Sequence, residues 1–214
     1  MTVLVEQAVQ QAVRHVMKAR SSVKRYEIGR TIPENVLHEI IELAGTAPSS
    51  WNLQHWTFIV VQDQSRKERI LPVANNQRQV VECSALVVVL ADLEANRNAG
   101  EIYEEAVKQG LMTEEIKEIL IKQIEQAYAN VPNIGLIEAY KNSSLAAMQL
   151  MLAAKAAGID SCPMGGFNPQ GLRELLRIPE RYAPSLLISL GYGAKEAHPS
   201  SRFPLDKVMV KESF

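Results

Sequence analysis

Between Glu138 and Gly158 the sequence carries a helix-length segment with almost no polar side, because Leu145, Ala146, Ala147, Met148, Leu150, Met151, Leu152, Ala153 and Ala154 cover nearly the whole circumference. A helix of this kind has to be covered all round, so whatever fold the chain adopts must be assembled about it. Gln149 and Lys155 interrupt the segment, and it falls short of the roughly 20 apolar residues that cross a bilayer. It therefore reads as a core helix. Its alanines allow close approach of a neighbour, and two arrangements satisfy it: a central helix within one chain, or a helix whose second side meets a partner subunit.

The flanking sequence supplies both helices and strands. Val3, Val5, Ala8, Ala12, Val13 and Val16 recur at helical spacing and predict an opening amphipathic helix that stops near Arg20. Val36, Leu37, Ile40, Ile41, Leu43 and Ala44 form a second stripe, after Pro33 and ending near Gly45. Thr57–Val61, Ala85–Ala91 and Ser185–Leu190 read as strands, the last two as continuous apolar runs covered on both faces. Residues 93–132 are rich in Glu, Lys, Gln and Asn, and their clearest pattern, Ile116, Ile119, Leu120, Ile124 and Ala127, predicts a helical excursion lying on the body. With no repeat and no linker, the expectation is a single α+β domain spanning 1–214.

Several function classes are excluded at this level. The 24 acidic residues against 23 Lys and Arg give a formal net charge of -1, so there is no global positive field for nucleic acid. No segment reads as a signal peptide or membrane span, and the 2 cysteines, Cys83 and Cys162, are too few for a disulfide scaffold. A reducing, cytoplasmic setting is expected. His15, His38, His55 and His198 lack metal-ligand spacing, and neither a G-x-S-x-G elbow nor a phosphate-binding P-loop occurs.

Chemistry concentrates in four segments. Arg20-Ser21-Ser22-Val23-Lys24-Arg25-Tyr26 puts Arg20, Ser22 and Lys24 on one side of an extended stretch, where they can converge on an anion. Ala47-Pro48-Ser49-Ser50-Trp51-Asn52-Leu53-Gln54-His55-Trp56 is a loop of turn formers, amides and two indoles. Gly158 to Phe167 contains Pro163, Met164, Gly165 and Gly166, and the paired glycines let backbone approach a flat ligand. Arg202-Phe203-Pro204-Leu205-Asp206 adds a cation after the last strand. Taken singly, each also reads as ordinary solvated loop or turn structure.

In order and over nearly the whole chain, these segments resemble the FMN-dependent nitroreductase family: R-x-S-x-[KR]-x-[FY], then P-S-S-x-N-x-Q-P-W, then P-x-x-G-F, then R-x-P-L-[DE]. Three positions depart from the pattern: His55 stands for the usual Pro, Gly165 for the Glu of one branch, and Ser200 for that branch's Lys. The resemblance implies an α+β sandwich, a mostly antiparallel central sheet flanked by helices, and an intertwined homodimer with FMN at the interface. It implies that Arg20, Ser21, Ser22 and Arg202 hold the ribityl phosphate, and that Lys24 lies beside the N1 and O2 edge of the ring. Asn52 and Gln54 would meet the cofactor, Asn52 at its pyrimidine edge. Pro48, Ser49 and Ser50 would reach the partner's flavin, and Pro163, Met164, Gly165 and Gly166 would run along the ring near N5.

By the same resemblance, NADH or NADPH supplies a hydride to FMN, and a flat electron-poor acceptor, a quinone or nitroaromatic, removes it in a ping-pong cycle; no side chain serves as acid or nucleophile. Trp51, Tyr103, Met112, Tyr128 and Phe167 are the substrate-pocket candidates, and Tyr103, Met112 and Tyr128 serve equally well to pack the excursion onto the body. An arm at 207–214 would embrace the partner. Other uses of the framework are a dedicated flavin chemistry (dehalogenation, flavin fragmentation, reduction of a small aldehyde), a non-catalytic flavin sensor, or a flavin-free dimer.

Overall fold

The structure, a computed structural model, describes residues 2–214, with side chains described from Val5 onward; the expected place of Val3 in the first stripe lies outside them. Its centre is a sheet of four antiparallel strands: β1 (Trp56–Val61), β2 (Ala85–Asp92), β3 (Asp160–Met164) and β4 (Tyr182–Gly191), in the order β1-β2-β4-β3. Every residue of β2 is buried, as a strand paired on both edges and covered on both faces requires.

Successive β2 side chains serve opposite layers. Leu86, Val88 and Leu90 pack with Ile70 of α3 (Gln64–Ile70), Val80 of α4 (Gln79–Glu82) and Leu172 of α8 (Pro169–Leu176). Ala85, Val87 and Val89 pack with Leu37 and Ile40 of α2 (Glu34–Gly45) and with Leu150 and Ala154 of α7 (Ile134–Ala156). The register against β4 shifts between Val89 and Leu90, a bulge of the kind that bends a strand locally.

The all-apolar helix is therefore central but, within one chain, not covered all round. Ala147, Leu150 and Ala154 face the sheet and α2, whereas Leu145 and Met148 remain 45% and 42% exposed. The opening helix, α1 (Thr2–Ala19), behaves alike: Val5, Val9, Val13 and Met17, spaced by four, are all exposed. The helix runs where the spacing predicts it, but its stripe is not covered by this chain: Ala8 and Ala12 are also exposed and only Val16 of that set is half-buried.

The excursion consists of α5 (Ala99–Lys108) and α6 (Glu114–Asn130). Thr113 caps α6 by accepting from the Ile116 N–H at 3.3 Å, satisfying one of the orphan donors of the first turn. Leu53 of the body, Ala95, Ala99, Tyr103 and Ile124 form a third buried cluster that fastens the excursion down. After β4 the chain is largely exposed through Phe214, with a short helix, α9 (Leu205–Val208). Among the described residues no helix is long and apolar enough to cross a membrane.

Candidate functional site

Leaving α1, the chain becomes extended and is sewn to the sheet. Ser22 bridges Ser161 in parallel, the Val23 N–H donates to the Ser161 carbonyl at 3.1 Å, and the Glu27 N–H donates to the Tyr192 carbonyl at 2.8 Å. Val23 and Tyr26 are buried in the core, and the Tyr26 hydroxyl lies 2.9 Å from Ser189 Oγ. With Val23 inward, Ser22 and Lys24 are turned out, as the two-residue period dictates.

The outward side lines a cleft of about 940 Å³ shared with the segment that follows β4. Arg20, Ser21, Ser22, Lys24 and Arg202 are all on its wall, so the structure brings together the cationic part of the sequence-derived site. Lys18, Lys155, Lys195 and His198 join them; these were missed because no short motif relates their spacing. Lys155 is paired with Asp160 at 2.8 Å, whose other oxygen accepts from the Gly193 N–H at 3.2 Å. A Cβ at Gly193 would stand 2.7 Å from that oxygen, so glycine is needed for the carboxylate to sit there.

One atom of the wall lacks a partner. Arg20 Nη1 is buried without a hydrogen bond among the described residues, a costly condition for a charged donor unless an anion meets it. Arg202 is exposed and bonds Ser200 Oγ at 2.9 Å and the Ser201 carbonyl at 2.8 Å. Behind the cleft, burial pushes the Cys162 thiol up, while Lys24 and Arg20 pull it down. Cys83 is pushed up to about 11, again by burial. Both cysteines are free and buried.

The remaining candidates do not line that cleft in the single chain. Pro163 and Met164 belong to β3 rather than to a turn, and the Met164 side chain is buried in the core. Within the single chain Met164 therefore offers a ligand its backbone and not its side chain. Gly165 has open space where a Cβ would project, and the Gly166 carbonyl accepts from Gln77 Nε2 at 2.9 Å. Phe167 packs on the core beneath.

In the second segment Asn52 and Gln54 face outward and Leu53 and His55 are buried. Ser49 Oγ accepts from the Gln54 N–H at 2.9 Å. Ser50 is tied to α7 through Glu138 and Asn142. Of the pocket candidates on the excursion, Tyr103 is only 4% exposed, and Met112 and Tyr128 pack against the same cluster, as does Trp51 from the second segment. Among the two uses open to these residues, the geometry displays the packing one.

The arrangement is thus a cationic wall along an extended segment, with the Gly165–Gly166 step outside that cleft. Residues 17–192 match the nitroreductase family. The chain belongs to that family. This nitroreductase-family chain is 50% identical over 193 residues to YodC of Bacillus subtilis, provisionally named an NAD(P)H nitroreductase, covering 90% of this chain and 95% of that one. It is 36% identical to a Thermus thermophilus protein named NADH dehydrogenase, over 89% of this chain and 91% of the relative. A crystal structure from Exiguobacterium sibiricum, of a protein provisionally named a nitroreductase and complexed with FMN, superposes with a TM-score of 0.89 at 33% identity, covering 94% of this chain and 97% of that one.

Proposed function

We propose that this protein is an FMN-dependent oxidoreductase that carries electrons from NADH or NADPH to nitroaromatic or quinone acceptors by a ping-pong cycle. The observation that carries the reading is the buried, unpartnered Arg20 Nη1 in a cleft that also holds Ser22, Lys24 and Arg202. A phosphate monoester supplies the missing acceptor and charge together, and a guanidinium fork suits it. The residues present therefore fit FMN.

When bound, FMN supplies the hydride chemistry, accepting from the nicotinamide and releasing electrons to the acceptor. The chain's own work is positioning and electrostatics. Arg20, Ser21, Ser22 and Arg202 hold the phosphate. Lys24 provides fixed positive charge where the reduced ring becomes anionic. Asn52 and Gln54 offer amides to the heterocycle, and the Gly165–Gly166 step lets backbone approach a flat ring without a side chain in the way.

The protein acts as a homodimer, with Pro48, Ser49 and Ser50 serving the partner's cofactor. Supporting this are the apolar side chains left uncovered on α1 and on α7, and an exposed 207–214 segment able to lie on a second copy. The whole of 1–214 works as one unit in the cytoplasm, where two free thiols are at home.

The test is an anaerobic visible spectrum of the purified protein supplied with FMN, before and after NADH and then NADPH. Bleaching, followed by recovery on adding a quinone, is the expected result. Bound flavin that neither nucleotide reduces would move the protein to the sensor class, and failure to take up flavin would remove the cofactor assignment altogether.

A further inference from the structure

Three residues of one short loop have left-handed backbone: Trp51 at φ 52°, Asn52 at 55° and Gln54 at 52°. A bulky side chain is rare in that region, and such conformations persist only where surrounding contacts impose them. Those contacts come from two directions. From α7, Asn142 Oδ1 accepts from the Ser50 N–H at 2.9 Å and Glu138 Oε2 accepts from the Ser50 hydroxyl at 2.5 Å.

From the excursion comes a second set, falling on alternate residues. The Tyr103 hydroxyl donates to the Trp51 carbonyl at 2.8 Å, Asn98 Nδ2 donates to the Leu53 carbonyl at 3.0 Å, and the Tyr128 hydroxyl lies 3.2 Å from His55 Nε2. The intervening Asn52 and Gln54 are left facing solvent.

We propose that Tyr103 and Tyr128 are positioning residues, whose hydroxyls reach from the helical excursion to hold the 51–55 loop in its left-handed path and so present Asn52 to the cofactor. The clamp itself stands on the loop geometry; its consequence for the cofactor rests on the FMN reading above. Both rings are already packed against the body, so what each hydroxyl adds is direction. A buried hydrogen bond and the strain of a left-handed residue are of the same order, and removing one is enough to let the loop relax.

Tyr103→Phe and Tyr128→Phe each delete one oxygen and keep the ring. In the full-length protein the readouts are amide hydrogen exchange across 50–56, FMN titration, and turnover at low and saturating FMN. The expected result is exchange about tenfold faster in that loop, with β2 and β4 unchanged, and FMN binding about three- to tenfold weaker. Saturating FMN then restores both loop protection and turnover, and it is the unchanged exchange of β2 and β4 without FMN that separates a released loop from a general loss of stability.

Unaltered loop exchange in both variants overturns the proposal. So does faster exchange with unchanged FMN affinity and turnover in a protein that binds FMN. If the wild-type protein takes up no FMN while the variants still loosen the loop, the clamp stands and the cofactor reading falls. Should Tyr103→Phe fail to fold, Tyr128→Phe carries the same comparison.

Discussion

The Arg181 guanidinium grips both oxygens of the buried Asp92 carboxylate, Nε to Oδ1 at 2.7 Å and Nη2 to Oδ2 at 2.5 Å. Asp92 ends β2 and Arg181 immediately precedes β4, so the pair ties the two interior strands together at one end of the sheet. Arg181 also donates to Asn98 Oδ1 at 2.6 Å, and Asp92 accepts from the Glu94 N–H at 3.1 Å, joining the sheet to the root of the excursion. The carboxylate holds the guanidinium above its usual range.

Asp92→Ala removes the partner and leaves a half-buried cation, together with the Glu94 N–H that the carboxylate also accepts from. A loss of about 3–5 kcal/mol in unfolding free energy is expected, measured by urea denaturation with an unchanged m-value. A loss below about 1 kcal/mol would place the pair among solvent-screened surface bridges.

His55 makes a pH dependence. Its imidazole is fully buried and Nδ1 has no partner among the described residues. Burial lowers its pKa, opposed by the carboxylates of Glu138 and Asp92 and assisted by Lys141. The folded state therefore binds fewer protons than the unfolded chain below the ordinary histidine value of about 6.5. Stability from this group is fully present above that value and is lost as the pH falls toward the depressed one. Urea midpoints collected from pH 7.5 to 5 should decline, and His55→Phe should remove part of the slope; an identical slope would locate the proton uptake elsewhere.

The sheet and its cover were legible in part. Continuous apolar runs mark β2 and β4 because both faces are buried, and the all-apolar helix is legible as one that needs cover, though not as to whether this chain or a second one supplies it. The strand β3 was hidden: Asp160, Pro163 and the following glycines look like turn chemistry, yet pairing with β4 overrides that local preference. The helix α8 had a readable start in Asn168-Pro169, with Asn168 Oδ1 accepting from the Gly171 N–H at 3.1 Å, but its eight residues gave little periodicity. The cationic site was legible as Arg20, Ser22 and Lys24 because an extended stretch keeps alternate residues together. Lys155 and Lys195 come from elements that only tertiary packing brings near. Nor does any pattern in the sequence announce left-handed backbone at Trp51.

Arg20→Ala deletes a guanidinium whose buried Nη1 has no hydrogen-bond partner among the described residues, so its effect should fall on the ligand. FMN binding is expected to weaken about tenfold to a hundredfold, the worth of a charged hydrogen bond, while the melting temperature without FMN stays within a few degrees. Fluorescence titration and a thermal melt on the same preparation separate the two. A large drop in melting temperature without FMN would make Arg20 a structural residue.

On the FMN reading proposed above, Lys24 would act on the reduced state more than on the oxidised one, since its charge favours an anionic ring. Lys24→Ala should bind FMN but show a lower two-electron reduction potential, read by equilibration with a reference dye. A potential equal to that of the wild type would detach Lys24 from the ring.

The apolar residues left uncovered give the last prediction. Val9 and Met17 are 57% and 58% exposed, and with Val5 and Val13 they form a row along α1, which packs against α7. Such a row on a separate monomer is a liability in water, and burying it against a second copy stabilises the pair by about 25 cal/mol for each Å² of apolar surface removed from solvent. Val9→Asp with Val13→Asp places two charges in that row without touching this chain's own core. Light scattering after size exclusion should show a dimer for the wild type and a monomer for the double variant, with FMN lost alongside, because Ser49 and Ser50 are proposed to complete the partner's site. A wild-type monomer, or a double variant that stays dimeric, would mean that this face is not where two copies meet.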